Sequence, residues 1–170
     1  LYLGVRGPMC HSRGPADGDY PFLARGDGYA VFVGGSGAVW SPARPGRSPL
    51  ALRFAGSSAK AVPATADPLP GRVLDLTGKR AVSRPTFGGL EVEGIWPGVD
   101  LAWRTEGGDL GYDLSFAAGV DPAVASLEMD GAQSLALGPS GDLLVGVPGG
   151  LVRHSAPVAW QEDGGLRRAV

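Results

Sequence analysis

Asparagine is absent from the 170 residues, isoleucine occurs once (Ile95), and lysine occurs only at Lys60 and Lys79 beside thirteen arginines. The missing asparagine removes every N-glycosylation sequon. The bias as a whole is that of a GC-rich genome rather than of a function. Cys10 is the only cysteine, which excludes an intrachain disulfide and a cysteine-built zinc site. No apolar run reaches the ~18 residues of a membrane-spanning helix, and Leu1 to Val5 is too short for the core of a signal peptide. Charge is also scarce. Charged residues make up 19% of the chain and the net charge is −2, so nothing predicts a nucleic-acid partner or an acidic membrane surface. The chain opens on Leu1 and closes on the apolar Val170, the ends expected of a piece of a longer polypeptide.

Glycine (29) and proline (15) together exceed a quarter of the chain. They fall between alternating apolar runs, so they read as the turns of a β domain rather than as disorder. About a dozen short strands follow at intervals of 8–12 residues, and no window of eleven residues carries a helical period. The expected fold is an all-β, antiparallel, β-sandwich-like domain with almost no helix, at most a turn at Pro122 to Ala125. Residues 1–21 show no periodicity and read as an irregular N-terminal arm, with Met9, Cys10 and His11 incidental on it. Residues 22–170 read as one domain. Its size is enough to bury a core without disulfide or metal.

Phe22 to Arg25 and Tyr29 to Val33 read as a hairpin around Gly26-Asp27-Gly28. Arg25-Gly26-Asp27 is an RGD tripeptide, but Asp-Gly already has a turn role there. Residues 56–70 read as a proline-broken connection, long enough to be a lid or an extended edge strand. The densest signals lie between Ile95 and Pro122. Val99, Leu101 and Trp103 alternate with Asp100, Ala102 and Arg104; Leu110, Tyr112, Leu114 and Phe116 alternate with Gly111, Asp113 and Ser115. That is a hairpin with one apolar face. With Thr105 opposite Gly108, Trp103 faces Leu110, Leu101 faces Tyr112 and Val99 faces Leu114. The same register sets Asp100 opposite Asp113 and Arg104 opposite Asp109.

Facing carboxylates repel unless they are solvated, share a proton, meet an arginine or bind a cation. The expected resolution is a solvated face or an arginine partner from elsewhere, such as Arg72, with a cation site as the alternative. A retaining glycosidase would place two carboxyl groups about 5–5.5 Å apart, a spacing that a cross-strand pair such as Asp100 and Asp113 could meet. The other aspartates show no EF-hand spacing, and no metal or cofactor is expected. His11 and His154 are the only histidines, and neither stands in a catalytic pattern. Of the four tryptophans, Trp103 is expected inward. Trp96, before Pro97, is the best candidate for a stacking platform, though core packing is the commoner use of such a ring. The candidate binding residues are therefore Asp100, Asp113, Trp96 and Arg104, with no catalytic residue assigned.

Several motifs recur together in one family. They are Phe22-Leu23-Ala24-Arg25-Gly26 with Gly28-Tyr29, Leu69-Pro70-Gly71-Arg72-Val73, and Trp96-Pro97-Gly98-Val99-Asp100-Leu101. After them come Leu110-Gly111-Tyr112-Asp113-Leu114, Ala118-Gly119-Val120-Asp121-Pro122, Gly141-Asp142-Leu143, and Pro157-Val158-Ala159-Trp160-Gln161-Glu162. In this order, from residue 22 to 170, the chain resembles the uncharacterised domain that sits N-terminal to the SBBP (β-propeller) repeats of large bacterial secreted or surface proteins. It departs from that pattern at Leu74-Asp75, where the family has Asn-Tyr, and at Gly111, where the family has a glutamate. The resemblance implies a non-enzymatic structural or binding module, extracellular or on the cell surface. Its partners would be downstream repeats of the same polypeptide, a surface partner or a glycan. A monomer without a membrane span is expected. The alternatives are a glycan-binding module or a glycoside hydrolase built on Asp100 and Asp113.

Overall fold

A computed structural model describes residues 3–4, 9–11, 20–26, 28–43, 47–58, 60–76, 81–106, 109–163 and 166–169. Asp27 of the RGD tripeptide, the turn residues Gly107 and Gly108, and most of the N-terminal arm lie outside them. The chain falls into two compact units, residues 2–131 and, with Leu1, 132–170. Each is described by itself.

The first unit holds β1 (Leu3–Gly4), β2 (Met9–His11), β3 (Phe22–Gly26), β4 (Tyr29–Gly34), β5 (Gly37–Pro42), β6 (Leu50–Ala55), β7 (Ala64–Asp75), β8 (Val82–Trp96), β9 (Val99–Glu106), β10 (Asp109–Phe116) and β11 (Ser126–Asp130). All eleven belong to one sheet in the order β1-β10-β9-β8-β2-β3-β4-β5-β6-β11, with β7 also paired to β8. Every pairing is antiparallel. The only helical element among the described residues is a single 3-10 turn, Pro122–Val124, whose N-terminal Asp121 accepts from the Ala123 N–H. The expected all-β, antiparallel class is what the chain adopts.

β8 organises this unit. Its first half pairs with β2 at Thr86 and Phe87, and its second half with β9 from Gly89 onward. Strand neighbours thus diverge along one strand, and the sheet turns back on itself. The aromatic contacts show the closure. Phe54 on β6 lies 5.8 Å from Trp103 on β9 and 5.4 Å from Tyr112 on β10, centroid to centroid, although these strands sit near opposite ends of the strand order. Trp103 is fully buried and its indole N–H donates to the Gly34 carbonyl on β4, 3.2 Å away. An indole in a core needs such an acceptor. Val31, Val33, Leu90, Val92, Ile95, Leu101 and Leu110 fill the space between the layers. The result is sandwich-like.

Three local findings revise the sequence expectations. First, Met9 and Cys10 are buried rather than carried on an exposed arm, because β2 is a strand between β8 and β3. Second, β7 and β8 are far longer than the short runs their patterns indicate. Pro68 and Pro70 on β7 and Pro85 on β8 interrupt the alternation, yet the edge strand β7 tolerates its two prolines because its outward N–H groups need no partner. Third, the β9–β10 register differs by two residues: Glu106 faces Asp109, Trp103 faces Tyr112, Leu101 faces Leu114 and Val99 faces Phe116. The faces are those expected, since a two-residue shift preserves the alternation. The turn moves by one position: Glu106 pairs with Asp109, in place of the expected Thr105 opposite Gly108.

The second unit holds β12 (Ser134–Leu137), β13 (Leu143–Val147) and β14 (Gly150–His154) in one small sheet, and β15 (Trp160–Asp163) paired with β16 (Leu166–Ala169). Val145 and Val147 are its buried residues on β13, with Leu135 and Val152 opposite Val145 on the flanking strands.

Candidate functional site

The two-residue register difference separates the proposed carboxylate pair. Asp100 faces Ser115, and Asp113 faces Ala102. Both are exposed on the outer face of β9–β10, but they do not oppose each other.

Asp100 has a structural partner of its own. Its Oδ1 accepts from the Gly94 N–H at 2.7 Å. Gly94 lies where the β8–β9 register shifts between Val92 and Trp96, with φ +60°. The shift leaves an N–H out of the ladder, and the Asp100 carboxylate satisfies it. The adjoining turn is Trp96-Pro97-Gly98-Val99, with Trp96 paired to Val99 and Gly98 at φ +73°. Proline followed by a positive-φ glycine is the composition of a type II turn. The Pro-Gly-Val-Asp run is therefore one device: a tight turn, then a carboxylate that holds the irregularity beside it.

Arg104 does not meet Asp109; it lies opposite Gly111 on β10 and Gly89 on β8. Its guanidinium crosses β8 to the Asp67 carboxylate on β7, at 3.1 Å, and meets Glu91 at 3.4 Å. Glycine at position 89 leaves it room, because a Cβ there would stand 3.0 Å from the Trp103 carbonyl and 3.1 Å from the guanidinium. Asp67 has φ +52°, the one positive φ among described non-glycine residues. Aspartate enters this region more readily than most residues. These groups tie β7 to β9 across β8. All three side chains are well exposed, so each ion pair contributes ~0–1 kcal/mol.

Trp96 is 4% exposed. Its indole N–H donates to the Ala55 carbonyl at 2.8 Å, and its ring meets Phe54 edge-on at 5.8 Å. It is a core residue, on the face of the sheet opposite Asp100, Arg104 and Asp113, and offers no stacking platform. Arg72, the expected partner of the aspartates, instead donates to the Ser83 hydroxyl (2.7 Å) and carbonyl (3.1 Å).

The titrations perturbed by the fold lie elsewhere. Burial pushes the Tyr112 hydroxyl up to about 12. In the second unit Asp142 accepts from Arg153 Nε and from the Ala156 N–H, each at 2.9 Å. Those bonds hold its carboxyl below the usual range. His154 on β14 is pushed down, chiefly by burial, and its Nδ1 lies 3.1 Å from the Ser155 carbonyl. Asp142 joins the start of β13 to the segment after β14. Sequence reasoning passed it over; its signal was an aspartate directly after a turn glycine, Gly141. Asp67 and Glu91 were missed too, since only the paired strands bring them to Arg104. Among the described residues no three His, Cys, Asp or Glu side chains are arranged to hold a metal ion, and no helix is long and apolar enough to cross a membrane.

One family model matches the chain, a domain of unknown function (DUF7948), over residues 10–170. No curated protein and no solved structure matches it.

Proposed function

Because the chain belongs to the DUF7948 family over residues 10–170, we propose that it is a non-enzymatic structural and binding module of a bacterial extracellular or cell-surface protein, set ahead of propeller-type repeats. The setting rests on the motif resemblance. The reading itself rests on one observation: of the four side chains best placed by sequence to act on a ligand, all but Asp113 are engaged in holding the sheet. Asp100 secures the β8 irregularity at Gly94, Arg104 ties β7 to β9, and Trp96 packs in the core. A single glycan-binding alternative has an observation in its favour: Tyr29 and Trp40 form a half-buried ring pair with centroids 5.7 Å apart. A glycan array and a panel of chromogenic glycosides, run on the intact chain, separate these readings. Silence in both supports the structural module. Binding lost in Trp40→Ala supports the glycan reading. Turnover lost in Asp113→Asn restores a hydrolase.

A further inference from the structure

β12 stands at the end of the β12-β13-β14 sheet and is paired along one side only, with β13, among the described residues. A free strand edge is a template for another strand, and proteins usually blunt it with charge or proline. Other edges of this fold carry such devices: β7 has Pro68 and Pro70, and β11 has Glu128 and Asp130. β12 reads Ser134-Leu135-Ala136-Leu137 and has neither. All four residues are exposed, Leu135 at 56% and Leu137 at 79%. The two leucines share a face with Val145, which is fully buried. An apolar surface thus runs to the rim of the sheet and stops there uncovered. The backbone of the rim is also oriented. The Gly138 N–H donates to the Asp142 carbonyl at 2.8 Å, one step beyond the pair of Leu137 with Leu143. Ser134, Ala136 and Gly138 therefore direct their backbone groups to β13, and Leu135 and Leu137 direct theirs to the open side.

We propose that β12 pairs antiparallel with β12 of a second copy, about a two-fold axis through Ala136. An axis normal to the sheet preserves each face, so only residues of like parity meet across it. This register sets Leu135 of each copy opposite Leu137 of the other, and Ala136 opposite itself. The leucine pairs are the ones whose N–H and C=O groups point outward, so each exchanges two hydrogen bonds, and the small Ala136 makes the close, non-hydrogen-bonded pair on the axis. Four leucines then meet on one face, beside Val145 of each copy. On the other face Ser134 meets Gly138, and no charge opposes a charge. The strand is its own complement only in this register. A slip of two residues sets Leu137 against Gln133 in one direction. In the other it sets Leu135 against Pro139, which has no N–H to give. The contact is isologous, so it closes at a dimer and uses up both β12 edges. A four-residue edge buries well under the ~1,200 Å² of a stable interface, so the association is weak. It departs from the monomer expected from the sequence and is independent of the proposed function.

Sedimentation of the intact chain from about 10 μM to about 1 mM, the range of weak association, tests the pairing. The wild type is expected to shift toward dimer over that range. Leu137→Lys sets an ammonium group opposite Leu135 of the other copy, and is expected to stay monomeric while melting as the wild type does. Cross-linking tests the register. Ala136→Cys is expected to form a disulfide-linked dimer under mild oxidation, because facing residues of a non-hydrogen-bonded pair lie roughly 4.5 Å apart at Cα, within the span of a disulfide. Leu135→Cys is expected not to link to itself, because the two copies of that position stand two residues out of step, beyond that span. The wild type, whose Cys10 is buried, gives the background. A wild type monomeric throughout would leave this edge to a strand of some other chain and overturn the proposal. So would association unchanged by Leu137→Lys, or Leu135→Cys linking as fast as Ala136→Cys.

Discussion

Raising the pH above 10 removes stability through Tyr112. This ring stands 5.4 Å from both Phe54 and Trp103 at the closure of the sandwich, and burial pushes its hydroxyl from 10.0 to about 12. The unfolded chain loses that proton first. Between the two values the unfolded state therefore binds fewer protons than the folded one, and stability falls as pH rises. A shift of two units corresponds to a loss of about 1.4 kcal/mol at pH 11 and about 2.3 kcal/mol at pH 12. The assay is denaturant unfolding followed by tryptophan fluorescence from pH 9 to 12, on wild type and Tyr112→Phe. Other tyrosines, lysines and arginines titrate in both proteins and cancel in the difference. The variant starts from its own baseline stability, and only the slope of the difference with pH counts. A difference that stays flat to pH 12 would mean that Tyr112 is not buried in this core and that β6 does not close against β10.

Three further outcomes follow from the same packing. Phe54→Ala removes a ring that touches Trp96, Trp103 and Tyr112, and is expected to cost about 3–5 kcal/mol in a chemical melt; a loss under ~1 kcal/mol would contradict the closure. Gly37→Ala sets a Cβ into the Leu52 carbonyl of the neighbouring strand, at φ +149°; expression as inclusion bodies or a melt lowered by more than ~2 kcal/mol is expected, whereas Gly150→Ala, with open space around it, is expected to be mild. The depressed His154 contributes stability that is present above its ordinary value of 6.5 and is lost as pH falls toward the folded value, so residues 132–170 gain amide-exchange protection as pH rises through that window, and His154→Gln flattens the rise.

Alternation was enough to read the class of the fold, the inward Trp103 and the faces of β9 and β10, because a pleated strand with one buried side must alternate. The register was not legible from alternation, since shifts of two residues leave the pattern unchanged. β2 escaped because a three-residue strand carries no period, and β7 was legible only as one of two alternatives, a lid or an edge strand, because prolines on an edge break the sequence pattern without breaking the strand. The site residues were picked for their chemistry, and the structure puts that chemistry to local use. Asp100 is drawn to Gly94 by an irregularity in a different strand. Arg104 reaches past Gly89 to Asp67, 37 positions away in the chain. Neither relation exists until β7, β8 and β9 lie side by side.

The central claim is that Asp100 serves the fold and does not form a carboxylate site with Asp113, and a set of thermal melts tests it most directly. Wild type, Asp100→Ala, Asp100→Asn and Asp113→Ala would be melted with and without calcium. Asp100→Ala is expected to lose about 1 kcal/mol, as for a lost helix cap, or roughly 2–4 °C. Asp100→Asn retains an acceptor and is expected to lose less, Asp113→Ala is expected to stay within ~0.5 kcal/mol of wild type, and calcium is expected to move none of the four. A calcium-dependent rise of several degrees in the wild type, abolished by Asp100→Ala and by Asp113→Ala alike, would make the two carboxylates a cation site and contradict the account.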